Sequence, residues 1–186
     1  MMKHRRIIGV ALIGAAALMM LTSPRAGGVA SAADTDDDAQ AALQSLYDST
    51  PSAKVLGASA KGILVFPNIV KAGFLVGAQY GQGTLFRGSR KVANYNIVAA
   101  SYGLQAGVQV FGYALLLMTD GALAYLDKSE GWEVGVGPSV VIVDEGFAKT
   151  LTTTTLQNDV YAFIFDQKGL MAGLGLQGSK ITRVNR

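Results

Sequence analysis

The chain has 186 residues, half of them hydrophobic and 16% charged, with one His and no Cys. Four of its 16 basic residues (Lys3, Arg5, Arg6, Arg25) precede residue 33, and all 13 acidic ones lie from Asp34 onward. The body of the chain is therefore near neutral, with one more acid than base. That balance excludes a globally basic surface for nucleic acid. Because the sole His is His4, the body also lacks a Ser-His or Cys-His pair, a His- or Cys-based zinc site and any disulfide.

The first element is a leader. Lys3 to Arg6 are positive, Ile7 to Leu21 are apolar and uncharged, and Pro24 precedes the small residues Val29-Ala30-Ser31-Ala32-Ala33. This order predicts a signal peptide over residues 1–32, cleaved after Ala32 or Ala33. The apolar run is shorter than the roughly 20 residues of a spanning helix. Arg5-Arg6 leaves both the general and the twin-arginine export routes open. The expected destination is the periplasm or cell envelope, without a lipid anchor, since no Cys stands at the cleavage point. Residues 33–186 suit one domain with a real core.

Asp34 to Asp38 reads as an irregular acidic start. From about Asp37, residues Ala39, Leu43, Leu46 and Tyr47 fall near one helical face, with Asp37 or Asp38 as cap. Pro51 opens a second short helix over Ser52 to Ser59, capped by Ser49 or Thr50. Ile63 to Phe66, before Pro67, reads as a buried strand.

A period-two pattern then occurs four times, over Gly73 to Gly81, Gly103 to Val110, Glu133 to Gly137 and Gly169 to Gln177. Bulky apolar residues such as Phe74, Val76 and Tyr80 alternate with Gly and Gln, as on the two faces of a strand. A helix carrying so much Gly would lose about 1 kcal/mol per residue. The Val/Leu/Phe faces are expected to form the main core. The Gly/Gln faces are expected to curve tightly, receive a helix or line a groove. Further strands are expected at Thr84 to Phe86, Tyr95 to Ser101, Tyr113 to Met118, Val140 to Val143, Val160 to Phe165 and Ile181 to Val184. Gly81-Gln82-Gly83 and Thr119-Asp120-Gly121 read as turns, the latter before a short helix over Ala122 to Lys128. Gly146 to Thr155 reads as a loop or short helix.

The carboxylates Asp120, Asp127, Glu130, Glu133, Asp144, Glu145, Asp159 and Asp166 form no metal-loop spacing and read as turn and solvent-face residues. No phosphate-binding loop is present. Arg87, Arg90 and Lys91 share one loop, and Lys61 and Lys71 flank the Ile63 to Phe66 strand. Such a group can hold anionic headgroups, each charge contributing about 1 kcal/mol near an anionic surface. The Leu43/Leu46/Tyr47 face can pack on the sheet or meet a membrane interface.

Ala60-Lys61-Gly62-Ile63-Leu64-Val65-Phe66-Pro67 followed by Lys71-Ala72-Gly73-Phe74-Leu75-Val76-Gly77 resembles the opening signature of the SYLF lipid-binding family. Ser101-Tyr102-Gly103-Leu104-Gln105-Ala106-Gly107, Val134-Gly135-Val136-Gly137-Pro138 and Lys168-Gly169-Leu170-Met171-Ala172-Gly173-Leu174 continue the likeness in order. It spans about Thr50 to Val184. The resemblance implies binding of membrane lipids, phosphoinositides in eukaryotic members, through an N-terminal amphipathic segment and basic residues. It implies neither catalysis nor a cofactor.

The expected fold is α+β: N-terminal helices packed on a curled, mainly antiparallel, glycine-rich, barrel-like sheet. The expected function is binding of membrane lipid or anionic headgroups in the cell envelope, with no enzymatic activity and no nucleic-acid partner. The expected contacts are Lys61, Lys71, Arg87, Arg90, Lys91, Leu43, Leu46 and Tyr47. The alternatives are a small outer-membrane β-barrel or envelope structural protein, and a carboxylate-dependent hydrolase.

Overall fold

A computed structural model of the chain describes residues 32–128, 131–143, 158–169 and 178–184, without the side chains of residues 32, 33 and 101–105. The expected leader up to Ser31, the loop at 146–155 and the alternation at 170–177 lie outside the described residues. Helix α1 spans Ala32–Ser49 and α2 spans Pro51–Ser59. The acidic run is helical rather than irregular. Asp34 lies in the first turn, where a negative charge is favoured by the helix dipole. In α2, Pro51 occupies a first-turn position whose N–H needs no partner. Thr50 stands at the cap but makes no side-chain bond. Its carbonyl instead accepts from the Ala53 N–H at 2.9 Å.

Two long strands succeed the helices, β1 (Gly62–Arg87) and β2 (Arg90–Leu117), antiparallel and joined by a turn at Gly88 and Ser89. The expected turn at Gly81-Gln82-Gly83 is instead strand interior. Pro67 does not end the strand either. The register shifts between Phe66 and Ile69, a bulge that accommodates a residue with no N–H to donate.

A straight strand of 26 residues would reach about 85 Å, roughly twice the width of a domain this size. The hairpin instead doubles over. A Cβ placed on Gly73 would lie 2.4 Å from the Gly77 Cα, one on Gly81 2.8 Å from Ile69 Cγ1, and one on Gly83 2.5 Å from Phe66 Cδ1. These contacts converge on Leu75, whose φ of 62° marks the bend. Opposite it, the register jumps from Phe74–Ala106 to Val76–Tyr102. The result is two stacked leaves, one containing residues 62–73 and the other residues 77–87, each paired with part of β2.

Helix α3 (Asp120–Leu126) begins one residue into the expected turn, because the Thr119 hydroxyl caps it by accepting from the Ala122 N–H. Strands β3 (Trp132–Glu133), β4 (Val140–Val143), β5 (Val160–Gly169) and β6 (Lys180–Arg183) complete the described elements. Glu133 to Gly137 is mostly turn, not strand. Gly135 and Gly137 have φ of 105° and 97°, and the Val136 N–H bonds back to the Glu133 carbonyl. The sheet order is β3-β6-β2-β5-β4, with β1 also pairing to β2. Among the described pairings, β4–β5 alone is parallel. The fold is α+β with a curled, mostly antiparallel sheet.

The first leaf is buried on both faces, which explains the unbroken apolar runs at Ile63 to Phe66 and Leu115 to Leu117. Ile63, Val65, Ala114 and Leu116 meet Ala39, Leu46, Ala53 and Leu56 of the helices. Leu64, Phe66, Leu115 and Leu117 face the interior with Tyr95, Ile97, α3 and Trp132. Near the bend the expected orientation is reversed. Phe74, Val76 and Tyr80 are 74%, 55% and 48% exposed, whereas Gln79 is 6% exposed and Gly77 and Gly81 are buried. At Gly73 and Gly77 the backbones approach too closely to admit a side chain between them.

Candidate functional site

The eight expected contact residues divide four ways. Leu46 is buried in the helix–sheet core, and Lys71 is only 7% exposed, opposite Gln109 and turned between the leaves. Neither faces a surface ligand. Lys91 is tied to Asp36 of α1. Lys61, Arg87 and Arg90 are exposed, and Leu43 and Tyr47 are half-buried beside a groove.

That groove, of about 440 Å³, runs between α1 and the turn of the hairpin. Leu43, Tyr47 and Phe86 supply its apolar walls, while Gln40 and Gln44 supply amides. Asp37 is the charged residue in the lining, and Gly88 and Ser89 form its far rim. Arg87 and Arg90 flank these two residues as a register pair. Lys61 belongs to the same end, because its N–H bonds the Leu117 carbonyl and the next residue, Gly62, packs near Phe86. Apolar residues spaced four apart on α1 and a basic turn are thus brought together by docking of the helix.

Asp36 fixes that docking. Its carboxylate accepts from Thr84 Oγ1 at 2.9 Å, from Asn94 Nδ2 at 2.8 Å and from the Lys91 ammonium. Burial, the largest single influence, raises the Asp36 pKa. The bonds from Lys91, Asn94 and Thr84, with the Lys91 charge, outweigh it and hold the carboxyl below its usual 3.8. Nothing local in the sequence pairs Asp36 with residues 48 to 58 positions away. Burial also pushes the Tyr47 phenol upward.

Asp159, Asp127 and Asp166 have structural partners. Asp159 accepts from the Ser139 N–H and hydroxyl and from Thr119 Oγ1, each at 3.1 Å, stapling α3 to the start of β5. These bonds, the Ser139 N–H foremost, hold its pKa low. Asp127 accepts from the buried Tyr95 hydroxyl at 2.8 Å and from Arg183 at 3.1 Å. Burial and this carboxylate push the Tyr95 phenol well up. Asp166 accepts from Ser45 at 3.3 Å. Glu130, Asp144 and Glu145 lie outside the described residues. Among the described residues, no three His, Cys, Asp or Glu gather as a metal site would require. No described helix is long and apolar enough to cross a membrane.

A family model described as Ysc84, Las17-binding protein actin regulator, matches residues 98–186. This match supports assigning the chain to that family, the SYLF family, whose motifs its sequence resembles. The matched region starts within β2 and takes in every later element. Domains of this family bind lipids and regulate actin, and it is not a known enzyme family. No curated protein matches the chain.

Proposed function

We propose that the chain is a non-catalytic lipid-binding protein of the bacterial cell envelope. In this reading residues 1–32 direct export and are removed, and residues 33–186 form one domain. The observation that carries it is the α1–hairpin groove: apolar walls from Leu43, Tyr47 and Phe86 lie beside a turn bearing Arg87 and Arg90. An acyl chain matches the walls, and a phosphate matches the guanidinium groups. The family match supports lipid as the ligand class.

Co-sedimentation of the processed protein with phospholipid vesicles of differing headgroup tests the reading. The expected result is binding to anionic vesicles that weakens with salt and falls several-fold in an Arg87→Ala/Arg90→Ala variant. Absence of binding to every envelope phospholipid at low salt would overturn it.

A further inference from the structure

We infer that the bend of the β1–β2 hairpin, at the end of the sheet remote from Arg87 and Arg90, enters the hydrocarbon of a phospholipid bilayer. This rests on the lipid-binding reading and assigns the inserting surface to a part of the molecule outside the groove.

Around the bend the described outward-facing side chains are mainly apolar on both faces. Val70, Phe74 and Val108 are exposed on one leaf, and Val76, Tyr80 and Val98 on the other. Over residues 70–86 and 92–118 the sole charged residue is Lys71, and it is turned between the leaves. A sheet face meeting water normally carries the polar half of its alternation. Here the polar half, Gln79 and Gln109, is inside, at 6% and 4% exposed.

The apolar surface is two-sided, with outward residues on both leaves, and the cleft beside Val70 and Tyr80 is bordered by Thr35 and Asp38 of α1. At the apex of the bend Leu75 is 51% exposed with φ of 62°. A bulky residue in the left-handed region costs roughly 1–2 kcal/mol, and Gly would serve the bend better. A large apolar side chain held outward there at such a cost has a use beyond folding.

Charge placement points to a bilayer rather than a second copy. Lys168 pairs with Val110 beside one leaf, and Lys180 pairs with Val98 beside the other. Both lysines are exposed. Val110 lies four residues from Ala106, the partner of Phe74, and Val98 lies four from Tyr102, the partner of Val76. At strand rise, each lysine therefore stands about 13 Å above the apex. One leaflet of hydrocarbon is about 15 Å deep. An apex seated in the acyl chains places both ammonium groups level with the phosphates, where lysine is favoured.

Because the chain has no Cys, single labels test the inference directly. Full-length Phe74→Cys and Ser89→Cys proteins, the latter keeping Arg87 and Arg90, are each labelled with an environment-sensitive fluorophore. They are then mixed with phosphatidylethanolamine/phosphatidylglycerol vesicles containing brominated acyl chains. The expected result is several-fold quenching at position 74, exceeding any at position 89 on the groove rim. Quenching at 89 that equals or exceeds that at 74 would overturn the inference while leaving the lipid-binding reading intact. Quenching at neither position would overturn both. A spectral shift at 74 that needs only raised protein concentration, without vesicles, would mean that a second copy covers the bend and would also overturn it. Val108→Asp, at an exposed position, is expected to abolish quenching at 74 with an unchanged unfolding midpoint. Undiminished quenching in that variant counts equally against insertion.

Discussion

The two ends of one hairpin are built in opposite senses. At the turn end, Arg87 and Arg90 face water while Leu85 and Tyr95 face the interior. At the bend end, Phe74 and Val76 face water while Gln79 and Gln109 face the interior. The same two strands run through both, so strand propensity does not separate them. Leaf spacing does. Toward the turn the leaves open to admit Tyr95, Leu115 and Trp132. Toward the bend they close until Gly73 meets the backbone of Gly77. A side chain's hydrophobicity decides its face only where there is room for it inside.

The sharpest way to break this comparison is to add one carbon at the closed end. Gly73→Ala would set a Cβ 2.4 Å from the Gly77 Cα and 2.6 Å from the Val76 carbonyl oxygen. It should cost about 3 kcal/mol or more in urea unfolding, because backbone atoms cannot rotate aside. At the turn, a Cβ on Gly88 meets nothing within 4 Å and Gly88→Ala faces only its φ of 59°. Its cost should stay near 1 kcal/mol. Equal costs at the two ends would refute the spacing argument.

Next comes the polar clasp between α1 and the second leaf. Asp36→Asn should cost about 1 kcal/mol at neutral pH, since it removes the charge that Lys91 faces and part of the acceptor set. In the parent protein the Asp36 carboxyl lies below its usual 3.8. Its contribution is therefore complete above about pH 5 and is lost as pH falls through the lowered value. Unfolding midpoints measured across the acid range should fall less steeply in the Asn variant than in the parent.

Leu75→Gly sharpens the comparison from the other side. Releasing the left-handed strain should raise stability by up to about 1 kcal/mol, less the backbone entropy that Gly loses on folding. A loss of stability would mean that the Leu75 side chain supports the fold after all. The smallest effect is expected at the most exposed site. Phe74→Asp should change unfolding free energy by no more than about 0.5 kcal/mol. A larger loss would show that Phe74 belongs to the core that its alternation first suggests.

Most elements were legible because period two and period 3.6 are properties of the chain itself. Ile63 to Phe66 and Leu115 to Leu117 broke alternation, and both proved to be buried on two faces. The side on which a face lies was not legible. Period two separates Phe74 from Gly77 but does not say which is inside. That depends on the strand doubling back, which is marked only by glycines at 73 and 77 on either side of Leu75 and a third at 81. Period two also misread Val134 to Gly137, where positive-φ glycines make a turn. Of the site, the exposed pair Arg87 and Arg90 and the groove residues Leu43 and Tyr47 were legible from loop composition and helical spacing. The burial of Lys71 and the binding of Lys91 to Asp36 were not, because each depends on contacts made only when distant segments meet.

The glycine-lined approach of the leaves also sets the thickness of the bend. Ordinary stacked sheets stand about 10 Å apart because side chains fill the gap between them. Where a backbone rests on a glycine, that filling is gone, and the doubled sheet becomes a thin blade stiffened by hydrogen bonds within each leaf. A blade displaces little lateral area for the apolar surface it carries. An ordered medium would have to move few molecules aside to receive it.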